Sequence, residues 1–206
     1  MNIKLSNVGK RFERNWIFRN LSLNFVQGRR YVVLGPNGSG KSTLLKVISG
    51  NVTVSEGTVE YSNTTSPVAV EDIFSQLTIA APYLDLPEEY TLHEIISFHK
   101  TFKPFENDLA EKQVIDILEL AHTREKNYKH FSSGMKQRVK LGLAILSKTP
   151  LLLLDEPSTA LDAKSVLWYQ NLIKDYGAGK TIIVFSNNKE EEYGFCEEKI
   201  LLNPQA

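Results

Sequence analysis

The spacing of apolar residues changes several times along the chain, and these changes predict strands alternating with helices. Residues 2–8 (NIKLSNV) and 21–26 (LSLNFV) alternate polar and apolar side chains, as strands with one buried face do. Residues 31–35 (YVVLG), 151–154 (LLLL) and 181–185 (TIIVF) are continuous apolar runs, which are typical of strands buried on both faces. Because helical patterns lie between these runs, the order predicts an α/β fold with a parallel sheet.

A helical insertion is predicted between two strand-rich halves. Thr91 begins the segment TLHEIISFHK, and Glu94 three residues later completes the capping-box pattern of a helix start. The segment 107–121 has apolar residues at helical spacing: Leu109, Val114, Ile117, Leu118 and Ala121. We therefore expect residues from about 85 to 129 to be mostly helical. Further helices are expected at 41–50, at 134–147 and from about residue 164.

Composition narrows the class of protein. The chain has 206 residues, which fits a single domain over 1–206, and 24 basic residues balance 24 acidic ones. This balance gives no electrostatic reason to expect a nucleic-acid partner. The single cysteine, Cys196, excludes an internal disulfide and fits a reducing compartment. No apolar run approaches the roughly 20 residues that span a bilayer, so a cytoplasmic location is expected.

The segment GPNGSGKST (35–43) matches the phosphate-loop pattern. Its glycines let successive backbone N–H groups converge on phosphate oxygens, at the positive end of the following helix. In such loops the lysine reaches the β- and γ-phosphates and the next hydroxyl ligates Mg²⁺. An ordinary glycine-rich turn is the alternative, but the position between a predicted strand and a predicted helix favours nucleotide binding. The expected nucleotide-binding residues are Gly35, Pro36, Asn37, Gly38, Ser39, Gly40, Lys41, Ser42 and Thr43.

Two adjacent carboxylates follow the apolar run LLLL. Asp155 lies at the carboxyl end of a predicted buried strand, where a magnesium-bound phosphate group would lie in such a sheet. We therefore expect Asp155 and Ser42 to be the metal ligands. Glu156 comes next and can orient or deprotonate an attacking water. Solvated acids at a strand end are the alternative, and the phosphate loop elsewhere in the chain favours the catalytic interpretation.

Two further segments carry a resemblance to a known family. FSSGMKQR (131–138) is similar to the signature of the ATP-binding-cassette (ABC) ATPases, and STALD (158–162) resembles their D-loop. The order of motifs matches over essentially the whole chain. The resemblance implies a P-loop NTPase core with a parallel sheet, an N-terminal antiparallel β subdomain and an inserted helical subdomain. It separates the chain from GTPases and small-molecule kinases.

The resemblance also implies an arrangement of two cassettes. They would pair head to tail around two ATP molecules, and Ser132, Ser133 and Gly134 would meet the γ-phosphate held by the partner. A plain helix N-cap is the alternative for this segment. Phe12 matches the aromatic residue that stacks on adenine, with Trp16 as the rival for that role.

Several positions depart from the family pattern. Ser133 and Met135 replace the usual glycine and glutamine of the signature, but both keep their backbone donors. Tyr83 falls where the family has its Q-loop glutamine, and Gln76 is the only nearby glutamine. Asn187 falls where the family has its switch histidine, and we assign it a role beside Glu156 in catalysis. None of the four histidines replaces it by position, and all are expected on the surface or in loops: His93, His99, His122 and His130.

The resemblance implies an ATP-hydrolysing subunit of an ABC transporter, with ATP and Mg²⁺ as ligands. Such a chain would form a homodimer or pair with a second cassette, and it would bind a separate membrane permease at the cytoplasmic face. Residues 81–90 would dock the permease or simply pack beneath the helical subdomain. Two alternatives remain open. One is a soluble ABC ATPase of the iron–sulfur-assembly type. The other is a nucleotide-gated binding module with little turnover. The departures at Asn187 and Tyr83 favour this module, whereas the presence of Lys41, Asp155 and Glu156 is evidence against it.

Overall fold

The computed structural model describes residues 1–64 and 66–203, and its centre is a five-stranded parallel sheet. The strand order is β6-β7-β8-β3-β9, and every neighbouring pair is parallel. This confirms the predicted α/β fold with a parallel sheet. The strands are β3 (Arg30–Leu34), β6 (Leu77–Ala80), β7 (Leu151–Asp155), β8 (Thr181–Ser186) and β9 (Glu198–Leu201).

A four-stranded antiparallel sheet packs beside this core, in the order β2-β1-β4-β5. Its main hairpin pairs the two segments whose polar and apolar residues alternate, with Ile3 opposite Phe25 and Leu5 opposite Leu23. Ile3, Leu5 and Phe25 are buried, so the alternation places one face against the core. The strands are β1 (Asn2–Phe12), β2 (Asn15–Phe25), β4 (Glu56–Ser62) and β5 (Pro67–Val68).

Two hydrophobic cores cover the two faces of the parallel sheet. Consecutive residues of one strand enter different cores: Leu152 and Leu154 pack in one, and Leu151 and Leu153 in the other. Period-two alternation with both faces buried explains why these strands are continuous apolar runs. The helices that surround them are α1 (Lys41–Ile48), α2 (Ile73–Gln76), α3 (Leu92–Phe102), α4 (Glu111–Ile117), α5 (Ser133–Leu146), α6 (Ala163–Tyr176) and α7 (Glu190–Tyr193).

The helical insertion is partly as predicted. Thr91 caps α3 as expected, because its hydroxyl accepts from Glu94 N (3.2 Å) and Glu94 accepts from Thr91 N (2.8 Å). The predicted helix over 107–121 is wrong in its bounds, since only α4 forms, flanked by 3₁₀ turns at Glu106–Asp108 and Ala121–Thr123. Asn107 has φ 52°, which a helix cannot continue through, and Ala121 is exposed whereas Leu120 is buried. Among the described residues no helix has the length and apolarity needed to cross a membrane.

Candidate functional site

The phosphate loop joins β3 to α1, the context that its motif requires. Gly40 has φ 95°, and a Cβ there would lie 2.7 Å from Ile17 Cγ2, so a larger residue does not fit. Gly35 is equally confined, because a Cβ would lie 2.5 Å from the Leu202 carbonyl oxygen. The loop therefore packs against both sheets, and its backbone turns tightly into the amino end of α1.

Lys41 is buried and bends back over the loop. Its ammonium donates to the carbonyl oxygens of Gly35 (2.7 Å) and Pro36 (3.1 Å). Burial lowers the pKa of Lys41, and the nearby charges of Glu156 and Asp155 act in the opposite direction. Ser39 Oγ, in the same loop, is buried without a hydrogen-bond partner among the described residues. A phosphate oxygen would satisfy the Ser39 hydroxyl and pair with the Lys41 charge, so the loop fits a nucleoside triphosphate.

Ser42 and Asp155 bring two side-chain oxygen atoms together across the site. Ser42 Oγ donates to Asp155 Oδ2 at 2.9 Å, and Asp155 closes the carboxyl end of β7. Adjacent ligands of an octahedral Mg²⁺, each about 2.05 Å from the ion, are about 2.9 Å apart. Burial is the main cause that raises the pKa of Asp155, and the Ser42 hydrogen bond opposes it. These two residues fit Mg²⁺, with phosphate and water oxygens completing the shell.

Asn187 bridges the lysine and the glutamate. Its Oδ1 accepts from Lys41 Nζ at 2.5 Å, while its Nδ2 donates to Glu156 Oε1 at 2.7 Å and to Asn37 Oδ1 at 2.6 Å. An amide supplies an acceptor and two donors at once, and each is used here. The residue that replaces the family's switch histidine therefore lies at the centre of the site. The Asn187 contacts join the phosphate loop, the strand end after β7 and the strand end after β8.

Glu156 has a left-handed backbone with φ 45°. Left-handed geometry is uncommon for a residue with a side chain and persists where surrounding contacts fix it. One such contact is the hydrogen bond from Glu156 N to the Phe185 carbonyl oxygen (2.9 Å). The turn directs the Glu156 carboxylate to Asn187, beside Lys41.

The structure places Tyr83, and not Gln76, at this edge of the sheet. Gln76 ends α2 immediately before β6, whereas Tyr83 follows the carboxyl end of β6, the same end at which β7 carries Asp155. Burial, with a smaller contribution from the Asp155 charge, raises the pKa of Tyr83 to about 12, so its hydroxyl stays neutral. Lys46 Nζ lies 4.7 Å from the Tyr83 ring centroid.

The two candidate adenine platforms lie in different surroundings. Trp16 stacks against Arg19, whose guanidinium lies 4.1 Å from the indole centroid, and packs on Gly9. Phe12 ends β1, is 49% exposed and has the Lys10 ammonium 4.8 Å from its ring centroid. Exposure leaves Phe12 the freer ring of the two, and its assignment to adenine stays a prediction.

The signature segment lies in a second cleft. Ser132 is the N-cap of α5, with its Oγ accepting from Met135 N (3.3 Å), so the N-cap geometry is present. Ser132 and Ser133 are exposed, and Gly134 lies against the Ala160 carbonyl oxygen, 3.0 Å from where a Cβ would be. This cleft has a volume of about 440 Å³ and is lined by residues of the signature and the D-loop. Its charged lining residues are Glu119, Arg138, Asp162 and Lys164.

The remaining predicted residues are placed as follows. Of the histidines, His122 and His130 are exposed as expected, whereas His93 and His99 are half-buried on α3 and not fully at the surface or in loops. His99 Nε2 lies 2.7 Å from Ser147 Oγ, and desolvation lowers the pKa of His99 to about 4. The sequence also gave no signal for Glu192, which is fully buried and hydrogen-bonds Ser158 and Ser186 beside the site.

Comparison with known proteins decides the family. The family model described as ABC transporter matches residues 18–159, which is well over half of the chain. The chain belongs to the ABC transporter family of ATP-binding proteins. It is an ATP-binding and ATP-hydrolysing subunit of this class, as the motif order predicted. The match includes the phosphate loop, the signature and the acid pair, while Phe12 and Asn187 lie outside it.

The relatives agree with this assignment. An uncharacterized ABC transporter ATP-binding protein of Bacillus subtilis, YybJ, is 30% identical over 98% of this chain and 92% of its own length. The Nod factor export ATP-binding protein I of Rhizobium johnstonii is 29% identical over 97% of this chain, and the spermidine/putrescine import ATP-binding protein PotA of Mycoplasma capricolum is 28% identical over 98%. The chain spans only 66% and 58% of those two relatives.

Solved structures confirm the fold. A bacterial ABC transporter cassette solved as a dimer has a TM-score of 0.81 at 24% identity, covering 98% of this chain and 94% of that one. The post-hydrolysis state of that cassette, bound to ADP and phosphate, has a TM-score of 0.82 at 24% identity, covering 99% and 97%. The expected P-loop NTPase architecture is therefore confirmed.

Proposed function

We propose that two copies of this chain, or this chain and a second cassette, close head to tail around two MgATP and use hydrolysis to drive a separate membrane permease. The observation that carries the hydrolytic part of this proposal is the Asn187 amide, which links Lys41 of the phosphate loop to Glu156. Lys41 would bind the β- and γ-phosphates, and Ser42 and Asp155 would hold Mg²⁺. The ion, when bound, neutralises charge on the phosphates.

The chain's own groups divide the remaining work. Glu156 would accept hydrogen bonds from the attacking water and polarise it, and Asn187 would position that water and sense the γ-phosphate. A γ-phosphate would compete with Asn187 for Lys41, so nucleotide binding would weaken the hydrogen bond from Lys41 Nζ to Asn187 Oδ1. Phosphoryl transfer depends mainly on such positioning and on charge stabilisation, which do not require an imidazole.

The second cleft supports the paired arrangement. Ser132 and Ser133 are exposed at the amino end of α5, where backbone N–H groups favour an anion. None of the residues that line this cleft belongs to the phosphate loop. The signature would therefore contact an ATP molecule that is bound to the phosphate loop of a partner cassette.

Steady-state hydrolysis by Asn187 variants tests the sensor role. Asn187→Ala is expected to lower kcat by about 10- to 100-fold, because each lost hydrogen bond to a charged group is worth about 1.5–3 kcal/mol. Asn187→His is expected to hydrolyse ATP at the wild-type rate or faster. The pH–rate profile of the wild type is expected to show no inflection from a catalytic histidine between about pH 6 and 8. Hydrolysis by Asn187→Ala at the wild-type rate would exclude the sensor role.

The same rates decide between a motor and a binding module. If the wild type hydrolyses ATP and the Glu156→Gln variant does not, the result supports the ATP-hydrolysing motor. If the wild type shows no such turnover even with its membrane partner present, the nucleotide-gated binding module becomes the better interpretation.

A groove beside the helical subdomain is the proposed permease dock. It has a volume of about 360 Å³, is lined by Phe74, Leu84 and Leu86, and carries Lys103 and Lys140. In the groove, Phe74 is 70% exposed and Leu84 is 39% exposed. Phe102, also 70% exposed, lies in an adjoining pocket that shares Leu86 and Lys103 with the groove. Leu86 instead packs against the hydrophobic core. Of the two leucines in segment 81–90, Leu84 is therefore the one more available to a partner.

Charge substitution tests this dock. Leu84→Glu and Phe102→Glu are expected to release the protein from membranes that contain its permease, because a buried unpaired carboxylate opposes docking. Leu167→Glu is the matched control, since Leu167 is 61% exposed on α6. Membrane sedimentation and thermal unfolding are measured together. Retention of both variants on membranes, or their unfolding, would indicate that these side chains serve packing alone.

A further inference from the structure

Glu192 is a buried carboxylate in a row of three glutamates. Glu190 and Glu191 are exposed, whereas Glu192 is 0% exposed. A carboxylate without solvent is unfavourable unless donors satisfy it. Its described donors are two serines and no cation: Ser158 Oγ at 2.6 Å and Ser158 N at 3.2 Å on Oε1, and Ser186 Oγ on Oε2.

The two serines belong to the two segments that carry the reacting groups. Ser158 is the first residue of the D-loop and lies two positions after Glu156. Ser186 ends β8 and directly precedes Asn187. One carboxylate therefore joins the turn that orients Glu156 to the strand end that orients Asn187, and the two side chains meet at 2.7 Å.

The contact continues to the signature helix. Gln137 of α5 is buried and donates from Nε2 to the Pro157 carbonyl oxygen at 3.0 Å, immediately before Ser158. The Gly134 backbone of the same helix lies against Ala160 of the D-loop. These contacts connect the signature helix and the D-loop to the residue that precedes Asn187, by way of Glu192.

We propose that Glu192 is a positioning residue that holds Glu156 and Asn187 at their catalytic separation and couples them to the D-loop. This rests on the proposed function, in which the D-loop and signature face a second cassette. The described hydrogen bonds of the Glu192 carboxylate go to Ser158 and Ser186 and not to the phosphate loop. Loss of Glu192 should therefore change the rate of hydrolysis far more than the affinity for ATP.

The first test compares two equivalent substitutions. Glu192→Gln keeps the shape of the side chain but replaces one acceptor with an amide donor. We expect its kcat to fall about 10- to 100-fold, the usual effect of misplacing catalytic groups, while KM for ATP changes less than about threefold. Glu191→Gln, at the exposed neighbouring position, should behave as wild type. A Glu192→Gln protein with a lower melting temperature but wild-type kcat at 25 °C would overturn the proposal.

A double-mutant cycle tests the link itself and does not need the glutamate to be changed. Ser158→Ala and Ser186→Ala should each lower kcat, and the double variant should be no slower than the slower single variant, because both act through one carboxylate. Ser158→Thr, which keeps the hydroxyl, should retain kcat. Tyr169→Phe removes a 2.9 Å hydrogen bond to the Glu192 main-chain oxygen and should lower only the melting temperature. Additive losses in the cycle would overturn the proposal.

Glu156→Gln separates the two failures. If the wild type lacks hydrolysis that Glu156→Gln abolishes, the proposed function fails and this inference fails with it. If Glu156→Gln abolishes hydrolysis while Glu192→Gln and the serine variants turn over normally, only the positioning role is overturned.

Discussion

Replacing Glu156 with glutamine is expected to slow ATP hydrolysis by about 10²–10⁴-fold, the usual contribution of a positioned acid–base group. Glutamine keeps an oxygen for the Asn187 Nδ2 donor, so the local geometry should survive. What it lacks is the negative charge that polarises the attacking water. Nucleotide affinity should change little, because Lys41, Ser42 and Asp155 are untouched.

The same variant should accumulate as a closed pair. If hydrolysis is what reopens the two cassettes, ATP with Mg²⁺ should shift Glu156→Gln, and not wild type, to dimer size in gel filtration. Glu190→Gln at an exposed position is the matched control for charge removal. Hydrolysis by Glu156→Gln at the wild-type rate would remove Glu156 from the mechanism.

Three strands of the parallel sheet were predictable because they are buried on both faces. Continuous apolar runs mark β3, β7 and β8 without reference to any other part of the chain. Strand β9 (Glu198–Leu201) lies at the sheet edge and has exposed residues, so it has no continuous apolar run from which it could be predicted. The bounds of α4 failed for a different reason. Helical spacing extends through residues 107–121, but Asn107 has a left-handed backbone that the apolar pattern does not record.

Residues close together in sequence were the predictable part of the site. The loop spacing from Gly35 to Ser42 encodes its own local geometry, and Asp155 is located by the strand that it ends. Contacts between segments that are distant in the sequence could not be predicted from local spacing. The three bonds of Asn187 appear only after β8 is placed beside β3 and β7. In the sequence, Glu192 is one of three consecutive glutamates, and only packing distinguishes it from its neighbours.

The largest expected loss of nucleotide binding is that of Lys41→Ala. The Lys41 ammonium already bonds Gly35 O, Pro36 O and Asn187 Oδ1, which fixes it over the loop where phosphate oxygens would lie. Removing a buried charge that pairs with an anion costs about 3–5 kcal/mol, which weakens binding by at least about 100-fold. Titration calorimetry with MgATP measures this directly, and Lys174→Ala at an exposed position is the control for loss of one positive charge.

Lys41→Ala and Glu156→Gln should lose different steps, nucleotide binding in the first and hydrolysis in the second. Comparing the two variants is therefore more informative than either variant alone. Lys41→Ala should neither bind nor form the ATP-dependent pair, while Glu156→Gln should do both and stall before hydrolysis. Asn187 touches both residues, so Asn187→Ala should lie between them, with weakened turnover and nearly normal affinity. Tight MgATP binding by Lys41→Ala would mean that the ammonium stabilises the loop through Gly35 and Pro36, and that backbone N–H groups alone hold the phosphates.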